Sequence, residues 1–281
     1  MSRVIETLRL IRVVNCLMAS VGVVVGAEMT WSRLTLWGPA AAAIAAFLIC
    51  AAGNVVNDLR DVEIDRVNRP DRVLVRQTLS RRYAIALAVV ADFVAVLLAL
   101  LINLFVATTA VMVIAALLWY NMRLKRIPVA GNMIIAGLGG LTFITGGLAV
   151  DPAVALYLPG PIVPAVFAFL FHLVREVIKD IQDVEGDSHT GVRTLPQVIG
   201  VQKSLSVALS LFLILVLLTY VPIIAGWYGS YYKIITVYCV DLPLLLLLIL
   251  LWGFPTPVML KVTSLSLKAG MALGILALLA R

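Results

Sequence analysis

Runs of about 20 apolar residues recur along almost the entire chain, and that is the length a helix needs to cross the hydrocarbon of a bilayer. Hydrocarbon offers no partner for a backbone N–H or C=O, so such segments cross as α-helices that satisfy their own hydrogen bonds. Of the 281 residues, 62% are hydrophobic and 13% charged, against about half and about a quarter in soluble domains. Nine spans are expected, over approximately 11–29, 35–57, 82–103, 105–121, 132–150, 160–180, 203–224, 230–252 and 262–280. The chain therefore reads as one all-α integral membrane domain, residues 1–281, with about nine transmembrane helices in one bundle around a central lipid-facing cavity. Gly38-Pro39, Asp151-Pro152, Pro159-Gly160-Pro161 and Phe254-Pro255-Thr256-Pro257 separate spans rather than domains. Arg3, Arg9 and Arg12 before the first run imitate a signal peptide, but no A-x-A-like site follows, so that run is read as a retained span. Cys16, Cys50 and Cys239 lie in or beside apolar runs without metal-type spacing, so no disulfide framework or cysteine zinc site is expected.

Basic residues gather in alternate loops. Arg60, Arg66, Arg69, Arg72, Arg76, Arg81 and Arg82 follow the second span, Arg123, Lys125 and Arg126 the fourth, and Arg175, Lys179, Arg193 and Lys203 the end of the sixth. The opposite loops offer little more than Arg33 and Lys233, which places the N-terminus and the charged loops on the cytoplasmic side of a cell membrane. The formal net charge of +7 is mostly this topological bias and implies no nucleic-acid partner.

Against that apolar background one acidic pattern occurs twice. Asp58-Leu59-Arg60-Asp61-Val62-Glu63-Ile64-Asp65 reappears as Asp180-Ile181-Gln182-Asp183-Val184-Glu185-Gly186-Asp187. The same offset pairs Asn54 with Glu176 and Asn57 with Lys179. On a helix, 54, 58, 61 and 65 share one face, as do 176, 180, 183 and 187. Four crossings separate the copies, and an even number returns both to the same side of the membrane. A parallel internal repeat, roughly 11–121 and 132–252, accounts for the likeness. Gly186 is a point where the second helix can end, which would put Asp187 on a loop.

Carboxylates with Asn54 and Asn57 beside them are hard oxygen donors, suited to magnesium, which takes few carboxylates and completes its shell with water and substrate phosphates. Two magnesium ions and a polyphosphate would relieve the repulsion among six aspartates, with Lys125, Lys179, Arg69 and Arg72 on the phosphate oxygens. Asp61, Asp65, Asp183 and Asp187 are the strongest metal candidates, and Asn57, Asp58 and Asp180 come next. Glu63 and Glu185 project from the other side of the helix and read as solvent or salt-bridge residues. A diphosphate beside apolar walls points to an isoprenoid diphosphate donor, with magnesium stabilising the leaving group and prenyl transfer as the reaction.

Asn57-Asp58-x-x-Asp61-x-x-x-Asp65 resembles the first acidic signature of the UbiA superfamily of intramembrane prenyltransferases, and Asp180-x-x-Asp183-x-x-x-Asp187 the second. Tyr120-Asn121-x-x-Leu124-Lys125-Arg126 with Gly131-Asn132 is similar to the family's basic loop between spans four and five. The run from Arg175 to Asp187, followed by Gly191-Val192-Arg193-Thr194-Leu195-Pro196, resembles an archaeal branch. That branch moves a geranylgeranyl group from its diphosphate to the free hydroxyl of geranylgeranylglyceryl phosphate, in ether-lipid synthesis. The resemblance thus implies a lipid-like glyceryl phosphate acceptor, magnesium as cofactor and a site at the cytoplasmic end of the bundle. It adds Asn15 and Tyr120 as substrate-binding candidates. One stretch departs from the family: after Arg69 and Arg72 a Pro and a Gly are missing and Val73-Leu74-Val75 stands instead, which bears on the shape of that loop.

Two other readings remain open at this stage. An aromatic acceptor such as 4-hydroxybenzoate would make the chain an enzyme of quinone or haem synthesis. A cation or phosphate transporter could use the acids as a pathway, although they lie at one membrane end rather than at the midplane. His172 and His189 lack partners at ligand spacing, and Asp92 and Asp241 have no role legible in the sequence.

Overall fold

The computed structural model describes residues 3–30, 36–188 and 194–281, and all regular structure among them is helical. In order the helices are α1 (Arg3–Leu10), α2 (Val13–Glu28), α3 (Trp37–Arg60), α4 (Val62–Asn68), α5 (Arg81–Ile102), α6 (Leu104–Met122), α7 (Ala130–Val150), α8 (Ile162–Ser188) and α9 (Leu195–Ile199). Then come α10 (Val201–Ile224), α11 (Ser230–Ile234), a π-helical turn (Ile235–Asp241), α12 (Leu242–Gly253) and α13 (Pro257–Leu279). Helix lies at each of the nine expected spans, but seven stretches among the described residues are long and apolar enough to cross, or eight if bent α1 and α2 count as one. The expected nine is therefore not reached. In α8 the charges of Arg175, Glu176, Lys179 and Asp180 begin 13 residues after Ile162 and interrupt the apolar run.

Two compact units are distinguishable: Met1–Leu124 with Thr142–Leu156, and Lys125–Leu141 with Tyr157–Arg281. In the first, small residues let backbones approach. Ala84, Ala88, Ala91, Ala95 and Ala99 recur at helical spacing along α5 and are buried, as are Ala42, Ala45, Ala51 and Ala52 of α3. Between α2 and α7 contact is closer still. A Cβ on Gly26 would fall 1.9 Å from the carbonyl oxygen of Phe143, and one on Gly146 would fall 1.9 Å from that of Val23. Gly22 and Gly26 are four apart on α2, so both lie on the face turned to α7. Asn103 lets α5 turn into α6 within one residue: its Oδ1 accepts from Val106 N at 2.9 Å and its Nδ2 donates to Leu148 O at 2.9 Å.

The segment between α4 and α5 is not an open loop. Val73, Leu74 and Leu79 are buried with Leu10, Ile11, Val55, Ala84 and Ala88. Val73, Leu74 and Leu79 thus tie this segment to α1 and α5. Thr78 Oγ1 adds a hydrogen bond to Glu6 Oε2 at 3.1 Å.

In the second unit Phe171, Val174, Val177, Ile178 and Ile181 form one side of α8 and pack with Leu205, Phe212 and Leu215 of α10 and Leu244, Leu248 and Leu251 of α12. Phe171 and Phe212 meet edge to face, with ring centroids 6.1 Å apart. Asp241, unexplained in the sequence, ends the π-helical turn, is buried and accepts from Thr219 Oγ1 at 2.8 Å, while Tyr232 OH donates to Thr219 O at 3.1 Å. That is the satisfied polar pair expected of a carboxyl inside a membrane bundle.

Candidate active site

The first acidic copy does not lie on one continuous helix face. Asn54, Asn57 and Asp58 belong to α3, which ends at Arg60; Asp61 has φ −97° and ψ 7° and joins α3 to α4. The ladder bridges the joint, since Asp61 N donates to Asn57 O at 3.0 Å and Asp65 N to Asp61 O at 2.7 Å. Asp61 thus sits at a corner and Asp65 one turn beyond it. Two aspartates crowded at the end of a span favour that break, because side chains that compete for backbone groups disfavour helix interiors.

Asp58 is 2% exposed and is held by arginines. Arg12 Nη2 donates to Oδ1, and Arg72 Nη1 lies 3.0 Å from Oδ1 and 3.1 Å from Oδ2. Arg12 reaches it because α1 and α2 meet at a 57° bend, where Arg12 takes φ 53°. The bend frees the carbonyl of Ile11, which accepts from Asn54 Nδ2 at 2.9 Å and from Cys16 Sγ at 3.1 Å. Asn54 is thus a cap for the broken helix. Asp65 is buried, and burial pushes its pKa up, countered by the Arg72 charge, raised again by Asp58 and Asp61, and lowered by Arg69. Glu63 is exposed and pairs with Arg66 at 2.6 Å, as read from its side of the helix. Asn15 is half-buried on α2, one turn after Arg12, and Tyr120 is half-buried near the end of α6.

The second copy rides on α8, which continues to Ser188, so Gly186 does not end the helix. Asp180 Oδ2 accepts from Asn132 Nδ2, at the start of α7, at 2.7 Å. Glu176 is buried and gathers two cations: Lys179 Nζ at 2.8 Å and Arg175 Nη1 at 3.1 Å. Lys179, offset-matched to Asn57, is therefore paired with the residue offset-matched to Asn54. Asp183 lies one turn further along α8, and Lys125 lies in a short 3-10 turn, Leu124–Arg126. Asp187 falls in the last turn, with its side chain outside the described residues, as are those of Glu185 and Gly186. His172 donates through Nδ1 to Ala168 O at 2.8 Å and packs over Gly139, where a Cβ would come within 2.7 Å of the ring.

Motif spacing alone did not single out Arg12 and Asn132 as side chains that hold the acidic residues, or Glu176 as the partner of Lys179. Arg12 stands in the sequence as one of three arginines ahead of a retained span; the signal of its role is its place at the start of that apolar run, where a guanidinium needs a partner. Among the described residues no three His, Cys, Asp or Glu side chains converge closely enough to hold an ion by themselves. The donor set, all carboxylate and amide oxygen, fits magnesium, which needs only one or two carboxylates when phosphates complete its shell.

The profile of the UbiA prenyltransferase family matches residues 16–257. A digeranylgeranylglyceryl phosphate synthase from Methanopyrus kandleri is 37% identical over 276 residues, 97% of each chain. The fold is similar to that of a solved digeranylgeranylglyceryl phosphate synthase, with a TM-score of 0.75, 32% identity and coverage of 99% of this chain and 98% of that one. It is also similar to a UbiA homologue from Archaeoglobus fulgidus bound to DMAPP and Mg2+, with a TM-score of 0.65, 17% identity and coverage of 98% and 100%.

Proposed function

The chain belongs to the UbiA prenyltransferase family, and from that premise we propose that it transfers a geranylgeranyl group from geranylgeranyl diphosphate to the free hydroxyl of geranylgeranylglyceryl phosphate. The observation that carries this reading is the end-to-end likeness to a named digeranylgeranylglyceryl phosphate synthase, 37% over 97% of each chain. The acidic copies, which the charge argument assigns to a diphosphate, agree with it.

In this reading Asp61, Asp65, Asp183 and Asp187 would hold magnesium, with Asn57 as a neutral donor. Magnesium would supply charge neutralisation as the diphosphate departs, as it does for phosphoryl oxygens in general. Asp58 and Asp180 accept hydrogen bonds from Arg72 and Asn132, and their part is to hold those groups in place. Arg69, Arg72, Lys125 and Lys179 steady the diphosphate or the acceptor phosphate. Glu176 fixes Lys179 at one end of its reach. Asn15 and Tyr120 line the prenyl and acceptor side, where an aromatic face can lie against a developing allylic cation. The apolar spans exclude the water that would quench that cation. The hydroxyl proton passes to a base, and the bases present are the cluster carboxylates and the departing diphosphate. The basic bias of the loops supports a site on the cytoplasmic side, and the repeated motif supports descent from a duplicated unit.

Product analysis tests the proposal. Purified chain with radiolabelled geranylgeranyl diphosphate and geranylgeranylglyceryl phosphate should yield the doubly etherified lipid. Incorporation into 4-hydroxybenzoate but not into the glyceryl phosphate would refute the lipid reading.

A further inference from the structure

Sequence spacing relates Cys16 to no other cysteine, but folding sets it against Cys50. Contacts between α2 and α3 run in opposite chain directions. Ser20 Oγ donates to Ala43 O at 2.8 Å, and one turn earlier on the same face of α2 Cys16 meets Cys50. Both sulfurs lie against a single amide, with Asn54 Nδ2 3.8 Å from Cys16 Sγ and 3.6 Å from Cys50 Sγ. The two thiols also act directly on each other. Cys16 is fully buried and Cys50 half-buried, whereas Cys239 is exposed on the π-helical turn of the second unit. A single buried thiol is a small apolar filler; two thiols in contact are also a two-electron couple. The amide they share has a second task. Asn54 Nδ2 donates to Ile11 O at 2.9 Å, the carbonyl freed at the bend that delivers Arg12 to Asp58. Sulfurs that move therefore move the cap on that bend.

We propose that Cys16 and Cys50 form an oxidisable dithiol, closed to a disulfide by an organic hydroperoxide dissolved in the membrane, and that closure disturbs the Asn54 cap and lowers turnover reversibly. Cys50 Sγ, the more accessible sulfur, attacks the terminal peroxide oxygen. The O–O bond breaks, the alkoxide takes the thiol proton and leaves as an alcohol, and Cys50 becomes a sulfenic acid. Cys16 Sγ then attacks Cys50 Sγ, the S–O bond breaks, and hydroxide leaves with the Cys16 proton as water. The two sulfurs together lose two electrons, which the peroxide gains. Bonded sulfurs sit about 2.05 Å apart, closer than two sulfurs in contact, so closure draws α2 and α3 together where Asn54 lies. Displacements of about 1 Å are enough to cost a catalytic site about 100-fold. An added thiol reopens the bond by exchange. The coupling to turnover rests on the proposed function; the disulfide itself does not.

The test treats the full chain in detergent micelles with cumene hydroperoxide, alkylates the remaining thiols, and maps peptides by mass before and after dithiothreitol. The wild type should yield a peptide cross-linked between Cys16 and Cys50, with Cys239 alkylated. Its prenyl transfer should fall at least fivefold, and dithiothreitol should restore it to within twofold. Cys50→Ser should keep basal transfer and lose the reversible inhibition, while Cys239→Ser should remain sensitive. If Cys50→Ser fails to fold, Cys50→Ala, which buries no hydroxyl, takes its place. Absence of the cross-linked peptide, its formation with transfer unchanged within twofold, or the same reversible inhibition in the folded Cys50 variant overturns the proposal. The two readings fail separately. A chain that forms the cross-link but transfers no prenyl group in its reduced state keeps the dithiol and removes the proposed function, whereas transfer in a chain that forms no cross-link does the reverse.

Discussion

Adding one methyl group to Gly26 should separate α2 from α7 or prevent their contact. The new Cβ would lie 1.9 Å from Phe143 O, 2.6 Å from its carbonyl carbon and 2.7 Å from its Cα. Carbon-to-oxygen contacts settle near 3.3 Å, so the backbones would have to part by about 1.4 Å. No rotamer change can relieve the clash, because every obstacle is backbone. Gly146 meets Val23 O at 1.9 Å and Ala27 N at 2.6 Å and is confined in the same way. Gly22 differs, since its nearest obstacle is the Thr142 hydroxyl at 2.5 Å, which can turn away. Gly137 and Gly274 would meet nothing within 4 Å. Overpacking costs about 1–3 kcal/mol, and a helical Gly→Ala change without a clash gains up to about 1 kcal/mol. Gly26→Ala and Gly146→Ala should therefore lose about 3 kcal/mol and Gly22→Ala about 1 kcal/mol, while Gly137→Ala and Gly274→Ala should be neutral or gain up to about 1 kcal/mol. Unfolding in detergent micelles, titrated with dodecyl sulfate, measures the series. Since α2 begins one residue after Arg12, Gly26→Ala should also reduce prenyl transfer at temperatures where the protein is still folded. A Gly26→Ala protein as stable as the wild type, or a Gly137→Ala protein as damaged as Gly26→Ala, would refute the backbone contact.

Asp61→Ala and Asp183→Ala should each bring geranylgeranyl transfer close to background at saturating magnesium, and near-normal turnover in either would remove that residue from the metal site. Asp58→Asn takes the shared anion from between Arg12 and Arg72, so the same micelle titration should show a loss of about 3–5 kcal/mol. A loss below about 1 kcal/mol would mean the cluster is screened like a surface pair. Asp65 carries a pH dependence whose sign follows from its raised pKa, set first by burial. An acid whose folded pKa exceeds its unfolded value contributes stability that is present below the unfolded pKa and lost as pH rises through the folded one. In chelator, Asp65→Asn should thus melt above the wild type at neutral pH and match it below about pH 3.9, the unfolded aspartate value. Equal melting at both pH values would contradict the burial argument.

The residues that define the spans and the acidic copies were legible because hydropathy and spacing are local properties. Their partners were not, because Asp58 draws on residues 46 positions before it and 14 after it, and nothing in a motif encodes such distances. Hydropathy starts the first span at residue 11, beside the bend, but gives no sign that a helix, α1, precedes it at a 57° angle. Asp61 and Gly186 show the same limit in opposite directions. Helical periodicity carried the first copy across a residue where the helix turns a corner, and glycine's reputation suggested a break where α8 continues. The loop after Arg72 was identified as a departure from the family, but its burial followed only from seeing Val73, Leu74 and Leu79 against α1 and α5. Gly22 and Gly26 were visible as letters four apart, yet only the crossing with α7 gives them a purpose.

The charges of α8 carry a consequence for how the protein is made. Only the 13 residues from Ile162 to Val174 precede Arg175 without an acid, lysine or arginine, well short of the about 20 that a bilayer-crossing helix needs. Each charge placed centrally costs about 2.5–3.5 kcal/mol during insertion, and pairing Glu176 with Arg175 and Lys179 lowers that cost only once the helix has formed. Its apolar side, in turn, finds its partners on α10 and α12, which are synthesised later. Recognition of α8 by the insertion machinery cannot rest on its own hydropathy. The helix that carries the second set of carboxylates thus depends, for its entry into the bilayer, on the segments around it.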